Sequence, residues 1–295
     1  MANRWFVAIA ALTPVVSLFS TPSWADSPEG HATKAISDSV INAQHTELTK
    51  AALEGHFGPQ SPRDISNPKG TNNIVFNSAP SRSRMNLCNI HFHAAAEHRG
   101  GEFTSYVGNG DGKGHRTGFQ YNGRLTAAEL APVQAAIGSK EHGALVPGDT
   151  IEIHFVHSTA HVKPGPTLAA CLSKENSNPQ LRVESVIAVL ANNRNAIDFR
   201  KMAELSVVNG YHAAPNIPDN LGKPVSYAGS TTGPMYNLKP SPLQVTWNVR
   251  PKVAKVDIVS LADWMRSNPF NEDHAHGVRN LVMDPALLSE IQNAN

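Results

Sequence analysis

Two imidazoles stand two residues apart in Cys88-Asn89-Ile90-His91-Phe92-His93, and a third follows in Thr150-Ile151-Glu152-Ile153-His154-Phe155-Val156-His157. Both segments alternate with period two, the pattern of a strand with two unlike faces. In a strand Asn89, His91 and His93 share one face, and so do Glu152, His154 and Val156. If the two strands pair, His91, His93 and His154 converge. Three neutral imidazoles with one open position make a catalytic zinc arrangement. Asn89 and Glu152, beside the ligands on the same faces, are suited to accept the second ring N–H and fix the tautomer. A lone H-x-H is a weak signal, because histidines also sit in sheets as ordinary polar residues. Glu97 nearby and the histidine on the second strand strengthen it.

A rival metal pattern uses the same residues. His91-x-His93-x-x-x-Glu97 followed by a later His is the ligand order of cupins, a double-sheet β fold in which Glu97 itself binds iron or manganese. A second H-x-H, His274 and His276, lies in a loop-like stretch beside Asp273. It reads either as a second metal site or, preferably, as a structural pair near Arg279.

The elements that must position these residues are mostly strands. Besides Cys88 to His93 and Thr150 to His157, residues 183–192 and 243–249 read as strands. Apolar residues at Ile36, Val40, Ile41, Leu48 and Ala52 predict a helix from Ile36 to Leu53. A second helix is predicted from Val256 to Met265, stopped before Pro269. Asp284-Pro285 opens a last short helix, with Asp as cap and Pro in the first turn. The run Gly108-Asn109-Gly110-Asp111-Gly112-Lys113-Gly114 has no Ser or Thr after its lysine and is a surface loop, not a phosphate loop. Many strands and few helices predict a mainly β (α+β) single domain, built around a large, mostly antiparallel twisted sheet with peripheral helices.

Composition narrows the function classes. The 295 residues carry 25 Lys and Arg against 24 Asp and Glu, which argues against an electrostatic nucleic-acid binder. Residues 1–25 have the form of a secretory signal peptide, with Arg4, an apolar run from Trp5 to Phe19, and Ser23-Trp24-Ala25 before Asp26. The apolar run is short for a membrane span and contains Pro14. No later stretch is long and apolar enough to cross a bilayer. Residues 26–54 read as a polar N-terminal segment with a helix, and 55–295 as the catalytic domain. Export places the chain in an oxidising space, the periplasm by preference, and there Cys88 and Cys171 read as a disulfide.

Five segments, in order, resemble the α-type carbonic anhydrases: Gln60-Ser61-Pro62-Arg63-Asp64-Ile65; Ile90-His91-Phe92-His93 with Glu97-His98; Glu152-Ile153-His154-Phe155-Val156-His157; Gly229-Ser230-Thr231-Thr232-Gly233-Pro234; and Val245-Thr246-Trp247-Asn248-Val249. The likeness spans residues 55–282. It departs from the α type in the short stretch between Asp64 and His91 and in Gly233. Ala94-Ala95-Ala96 and Asp273-His274-Ala275-His276-Gly277-Val278-Arg279 are more similar to the δ-type enzymes and their bacterial relatives.

Residue by residue, the resemblance implies Zn2+ on His91, His93 and His154. It implies Thr231 as the residue that orients the nucleophile, with Thr232 as the competing assignment, and Glu97 as acceptor for the Thr231 hydroxyl. Asn89 and Glu152 support the ligands. Val156, Val189, Val245 and Trp247 form the apolar wall for CO2, and His98 and His157 are buried structural histidines. The implied activity is that of a lyase: reversible hydration of CO2 to bicarbonate and a proton by a zinc hydroxide. The partner is that small substrate, with no nucleic acid and no membrane span in the mature chain. His56, His115, His161 and His212 are candidate proton carriers. The other readings are a related metal-binding protein without activity, and the cupin-type metalloprotein. Retention of the three histidines, Glu97 and Thr231 argues against the inactive form.

Overall fold

The computed structural model describes residues 35–292 except 75, 135–136, 139–143, 234 and 236. The predicted signal peptide lies outside the described residues.

Nearly continuous apolar alternation makes β1 (Asn86–Ala94), β4 (Thr150–Ser158) and β5 (Leu181–Ala191) successive neighbours in a six-stranded sheet, with β1 at its edge. All nine residues of β4 are buried, as expected of a strand covered on both faces. Period two sorts the side chains. Ile90, Phe92, Ile153, Phe155, Val186 and Leu190 enter one core. Cys88, Val156, Val183, Ile187, Val245 and Trp247 enter a second. The first core is closed by α2 (Phe199–Met202) and α3 (Ile258–Met265), which add Phe199, Leu261 and Trp264. The second face carries the histidines.

The sheet continues through β9 (Gln244–Val249) to β8 (Val225–Ser230). It is mostly antiparallel, as expected, but mixed. β1–β4, β4–β5 and β8–β9 are antiparallel, but β5 pairs in parallel with β9 and with β10 (Ala254–Asp257). β9 takes the start of β5, from Leu181↔Val245 to Ser185↔Val249, and β10 takes its end, from Ala188↔Ala254 to Ala191↔Asp257. Two short ribbons stand apart from the sheet: β2 (Ser105–Tyr106) with β3 (Phe119–Gln120), and β6 (Ser206–Val208) with β7 (Tyr211–Ala213).

The helix predicted from Val256 to Met265 begins later. Val256 pairs with Leu190 in β10, and Asp257 caps α3 by accepting the Val259 N–H at 3.2 Å. α1 (Asp38–Glu54) matches its predicted helix closely and packs Leu48 and Ala52 against Val282, Leu287 and Leu288. The predicted short helix is the single 3-10 turn Pro285–Leu287, capped by Asp284. Cys88 and Cys171 form a disulfide. Among the described residues no helix is long and apolar enough to cross a membrane.

Candidate metal centre

The antiparallel register of β1 and β4 sets His91 opposite His154, His93 opposite Glu152 and Asn89 opposite Val156. The three imidazoles therefore meet on one face, their ring centroids 4.7 to 5.2 Å apart. Each ring has one nitrogen engaged from outside the cluster. His91 Nδ1–H donates to Asn89 Oδ1 at 2.6 Å, His93 Nδ1–H to the Gly277 carbonyl at 2.7 Å, and His154 Nε2–H to Glu152 Oε1 at 2.9 Å. Those bonds fix the tautomers and leave His91 Nε2, His93 Nε2 and His154 Nδ1 as lone pairs. His91 Nε2 and His154 Nδ1 face each other at 3.2 Å. Two lone pairs at that distance repel unless a cation lies between them. A tetrahedral ion with about 2.0–2.1 Å bonds to nitrogen needs nitrogens roughly 3.3 Å apart. The donor set therefore fits zinc. Among the described residues, His91, His93 and His154 form the one group of acidic, Cys or His side chains whose ligand atoms lie close enough to share an ion.

Electrostatics favour the same state. Burial holds His93 down at about 4, and burial with the neighbouring imidazoles holds His91 and His154 below the usual histidine value. All three are thus neutral near pH 7, the ligating form. Burial pushes the Glu152 carboxyl up, but His98 and His154 more than reverse this and leave it well below the usual carboxylate range. Glu152 gathers five donors: His154, His98 Nδ1 at 2.7 Å, the Ser185 hydroxyl at 2.7 Å, and the backbone N–H groups of Glu97 and His98. His98 and His157 are buried, as expected.

A cavity of about 280 Å³ opens over the lone pairs. Its floor is one row of the sheet, in which Asn89, Val156, Val183 and Trp247 are successive cross-strand partners on β1, β4, β5 and β9. Thr231 and Thr232 stand at the rim, on the loop after β8. That loop is tied down by Trp247 Nε1–H to the Ser230 carbonyl at 3.1 Å and by Ser230 N–H to Ser61 Oγ at 3.2 Å.

A family model described as delta carbonic anhydrase matches residues 82–260, well over half of the chain. The chain belongs to the delta carbonic anhydrase family. Among solved structures it is similar to an alpha-carbonic anhydrase from Thermovibrio ammonificans with the inhibitor sulfanilamide (16% identity, 82% of this chain and 92% of that one, TM-score 0.28). A halotolerant carbonic anhydrase from Dunaliella salina gives 13% identity over 82% and 86%, with TM-score 0.31. An alpha-carbonic anhydrase from Photobacterium profundum gives 14% over 79% and 90%, with TM-score 0.27. A search of curated proteins gives no match.

For this delta carbonic anhydrase family member, several expected site residues sit elsewhere than the sequence reading placed them. Val189 pairs with Thr150 and Lys255 at the far end of β5 and does not line the cavity. Val183 takes its place. The two share a face, but only Val183 is in the row of Val156 and Trp247. Val245 is buried in the core below. The Thr231 hydroxyl bonds the Ser241 hydroxyl at 2.6 Å, not Glu97.

Glu97 sits behind the ligands. Its oxygens are 3.6 Å from His93 Nδ1 and 3.9 Å from His154 Nε2, the nitrogens turned away from the lone pairs, and it accepts the Arg279 N–H at 3.1 Å. That placement and the family together set aside the cupin reading. Burial raises the Glu97 carboxyl above its ordinary value.

His276, expected in a second metal site or a structural pair, lies instead at the first cluster. His276 N–H donates to the Phe92 carbonyl and Ala94 N–H to the His276 carbonyl, so it runs beside β1, and its ring lines the cavity with Nε2 bonded to Glu272 at 2.8 Å. The second H-x-H was the signal. His56, His115, His161 and His212 are not among the residues lining the cavity.

Proposed function

We propose that this chain reversibly hydrates CO2 to bicarbonate and a proton, with zinc held by His91 Nε2, His93 Nε2 and His154 Nδ1. The carrying observation is the set of three convergent lone pairs, each fixed by an outer hydrogen bond, under a cavity with an apolar floor. Bound zinc supplies a nucleophile at neutral pH by lowering the pKa of water from about 15.7 to about 7, a property of carbonic anhydrases as a class and not a value obtained for this chain.

The protein's part is placement. Neutral ligands leave the full charge of the ion in force, whereas a carboxylate ligand would weaken it. Val156, Val183 and Trp247 offer an apolar surface, which suits a neutral, apolar substrate better than its anionic product. With Thr231 Oγ1 as donor in its hydrogen bond with Ser241 Oγ, a Thr231 lone pair would be kept to accept a hydrogen bond from the O–H of the attacking oxygen. That hydrogen bond turns the reactive lone pair toward the carbon of CO2. Ser241 Oγ is itself held by the Leu243 N–H at 3.3 Å. An oxygen nucleophile supplied there would add to the carbon of CO2, and the net reaction would release bicarbonate and one proton to solvent for each CO2 consumed. The disulfide supports action in an exported space, the periplasm, with residues 1–25 removed.

Stopped-flow CO2 hydration with a pH indicator tests the reading, beside His154→Ala and after chelation. Fast hydration lost in both controls is the expected result. No hydration by protein holding one zinc would overturn it.

A further inference from the structure

The amide of Asn89 does more than accept from His91. Its Nδ2–H donates to the Gly165 carbonyl at 3.0 Å, while Oδ1 takes the His91 Nδ1–H at 2.6 Å. A carboxamide has one donor end and one acceptor end. The Gly165 carbonyl can only accept, so it dictates which end of Asn89 faces His91. That choice puts the His91 proton on Nδ1 and leaves Nε2 bare toward His154. With the amide turned over, Nδ2–H would donate to Nδ1, the proton would sit on Nε2, and His91 could not ligate through the nitrogen that faces the other two rings.

Gly165 is in turn held from β1. Cys88 is the extra residue where the β1–β4 register slips between Leu87 and Asn89, so its carbonyl is released from the ladder. That carbonyl accepts the Gly165 N–H at 3.0 Å. The Cys88 sulfur is bonded to Cys171, at the other end of the same loop, and Ser158 Oγ–H donates to the Cys171 carbonyl at 2.6 Å. Between them Thr167 and Leu168 line the cavity, with Thr167 in the left-handed region (φ 57°), unusual for a β-branched residue. The bulge, the disulfide and the glycine carbonyl therefore form one clamp on Asn89.

We infer that the 159–172 loop, pinned by the Cys88–Cys171 disulfide, is a positioning element that selects the metal-binding tautomer of His91 through Gly165 and Asn89. The inference rests on the three-histidine metal reading.

The test measures zinc release to a chelator and the ring 15N shifts of His91 in metal-free protein. It uses wild type, Cys88→Ser/Cys171→Ser, Asn89→Ala, and all three changes together. Loss of the disulfide is expected to weaken zinc binding about tenfold or more, in the range found when an outer hydrogen bond to a ligand is lost, and to shift His91 toward the Nε2–H form. In the Asn89→Ala background the same loss should change zinc release less than twofold, because the linking amide is gone. Additive effects, or an unchanged His91 tautomer without the disulfide, would overturn the inference.

If the cysteine variant does not fold, the folded wild type is reduced with a phosphine. The phosphine gives the two sulfurs two electrons, and one water supplies the oxygen of the phosphine oxide and the two protons of the thiols. The same two readouts follow with far-UV dichroism unchanged. Failure of wild type to bind zinc at all would fall on the metal reading, while the tautomer measurement still decides the role of the loop.

Discussion

Glu152 holds the ring of His154 by a 2.9 Å hydrogen bond from Nε2–H to Oε1, and the two residues sit on the same face of β4, two positions apart. The remaining oxygen surface of Glu152 is saturated by His98, Ser185 and two backbone donors. An amide in its place would present N–H groups to donors. Glu152→Gln should therefore lower zinc affinity roughly 10- to 100-fold and cost about 1–3 kcal/mol of stability from donors left without an acceptor. Chelator competition and urea unfolding measure the two losses.

The rim hydroxyls can be ranked. Thr231 is buried and bonded to Ser241, whereas Thr232 is half-buried and, among the described residues, has no hydrogen bond that would aim its hydroxyl. Thr231→Ala should cut kcat/KM for CO2 hydration on the order of 100-fold, the cost of losing orientation, at unchanged zinc content. Ser241→Ala should do less, because Thr231 keeps its oxygen. A larger loss in Thr232→Ala than in Thr231→Ala would exchange their roles.

Val183 offers a steric test of the cavity floor. Val183→Tyr places a ring in the row between Val156 and Trp247. Hydration should fall to near the uncatalysed rate while one zinc stays bound, as read by metal analysis and stopped flow. Full activity in a folded Val183→Tyr protein would move the substrate surface elsewhere.

His157 makes stability fall in acid. Burial first, then the charges of Arg82 and Arg182, bring it down to about 3, against an ordinary value of 6.5. Between those values the unfolded chain binds the proton and the native chain does not. The native state is therefore favoured in full above pH 6.5 and loses about 1.4 kcal/mol per pH unit on descent from this residue. Urea unfolding from pH 7 to 4 should show the stability gap between wild type and His157→Gln narrowing as the pH drops. A constant gap would mean that His157 does not titrate on unfolding.

The histidine cluster was legible because one parity rule places Asn89, His91 and His93 together and a second places Glu152 and His154 together. The cavity floor was only half legible. Parity gives the face of β5 but not the position along it, and Val183 and Val189 are indistinguishable until the pairing with β4 is known. Ser241 was invisible, since it reaches Thr231 from a loop ten residues on. β8 was missed because its buried positions are Tyr227, Gly229 and Ser230, which carry little apolar signal. The start of α3 was misplaced because Val256 and Asp257 suit the helix by pattern, and only the free edge of β5 draws them into a strand.

The outer nitrogen of His93 leans on the carbonyl of Gly277, 184 residues further along the chain. While the polypeptide is being made, His91 and His154 can already be braced by Asn89 and Glu152, but His93 waits for this downstream carbonyl. The three rings thus reach their final geometry only once the segment carrying Gly277 is in place. The three-histidine cluster is therefore a late product of folding, assembled by a contact between distant parts of the chain.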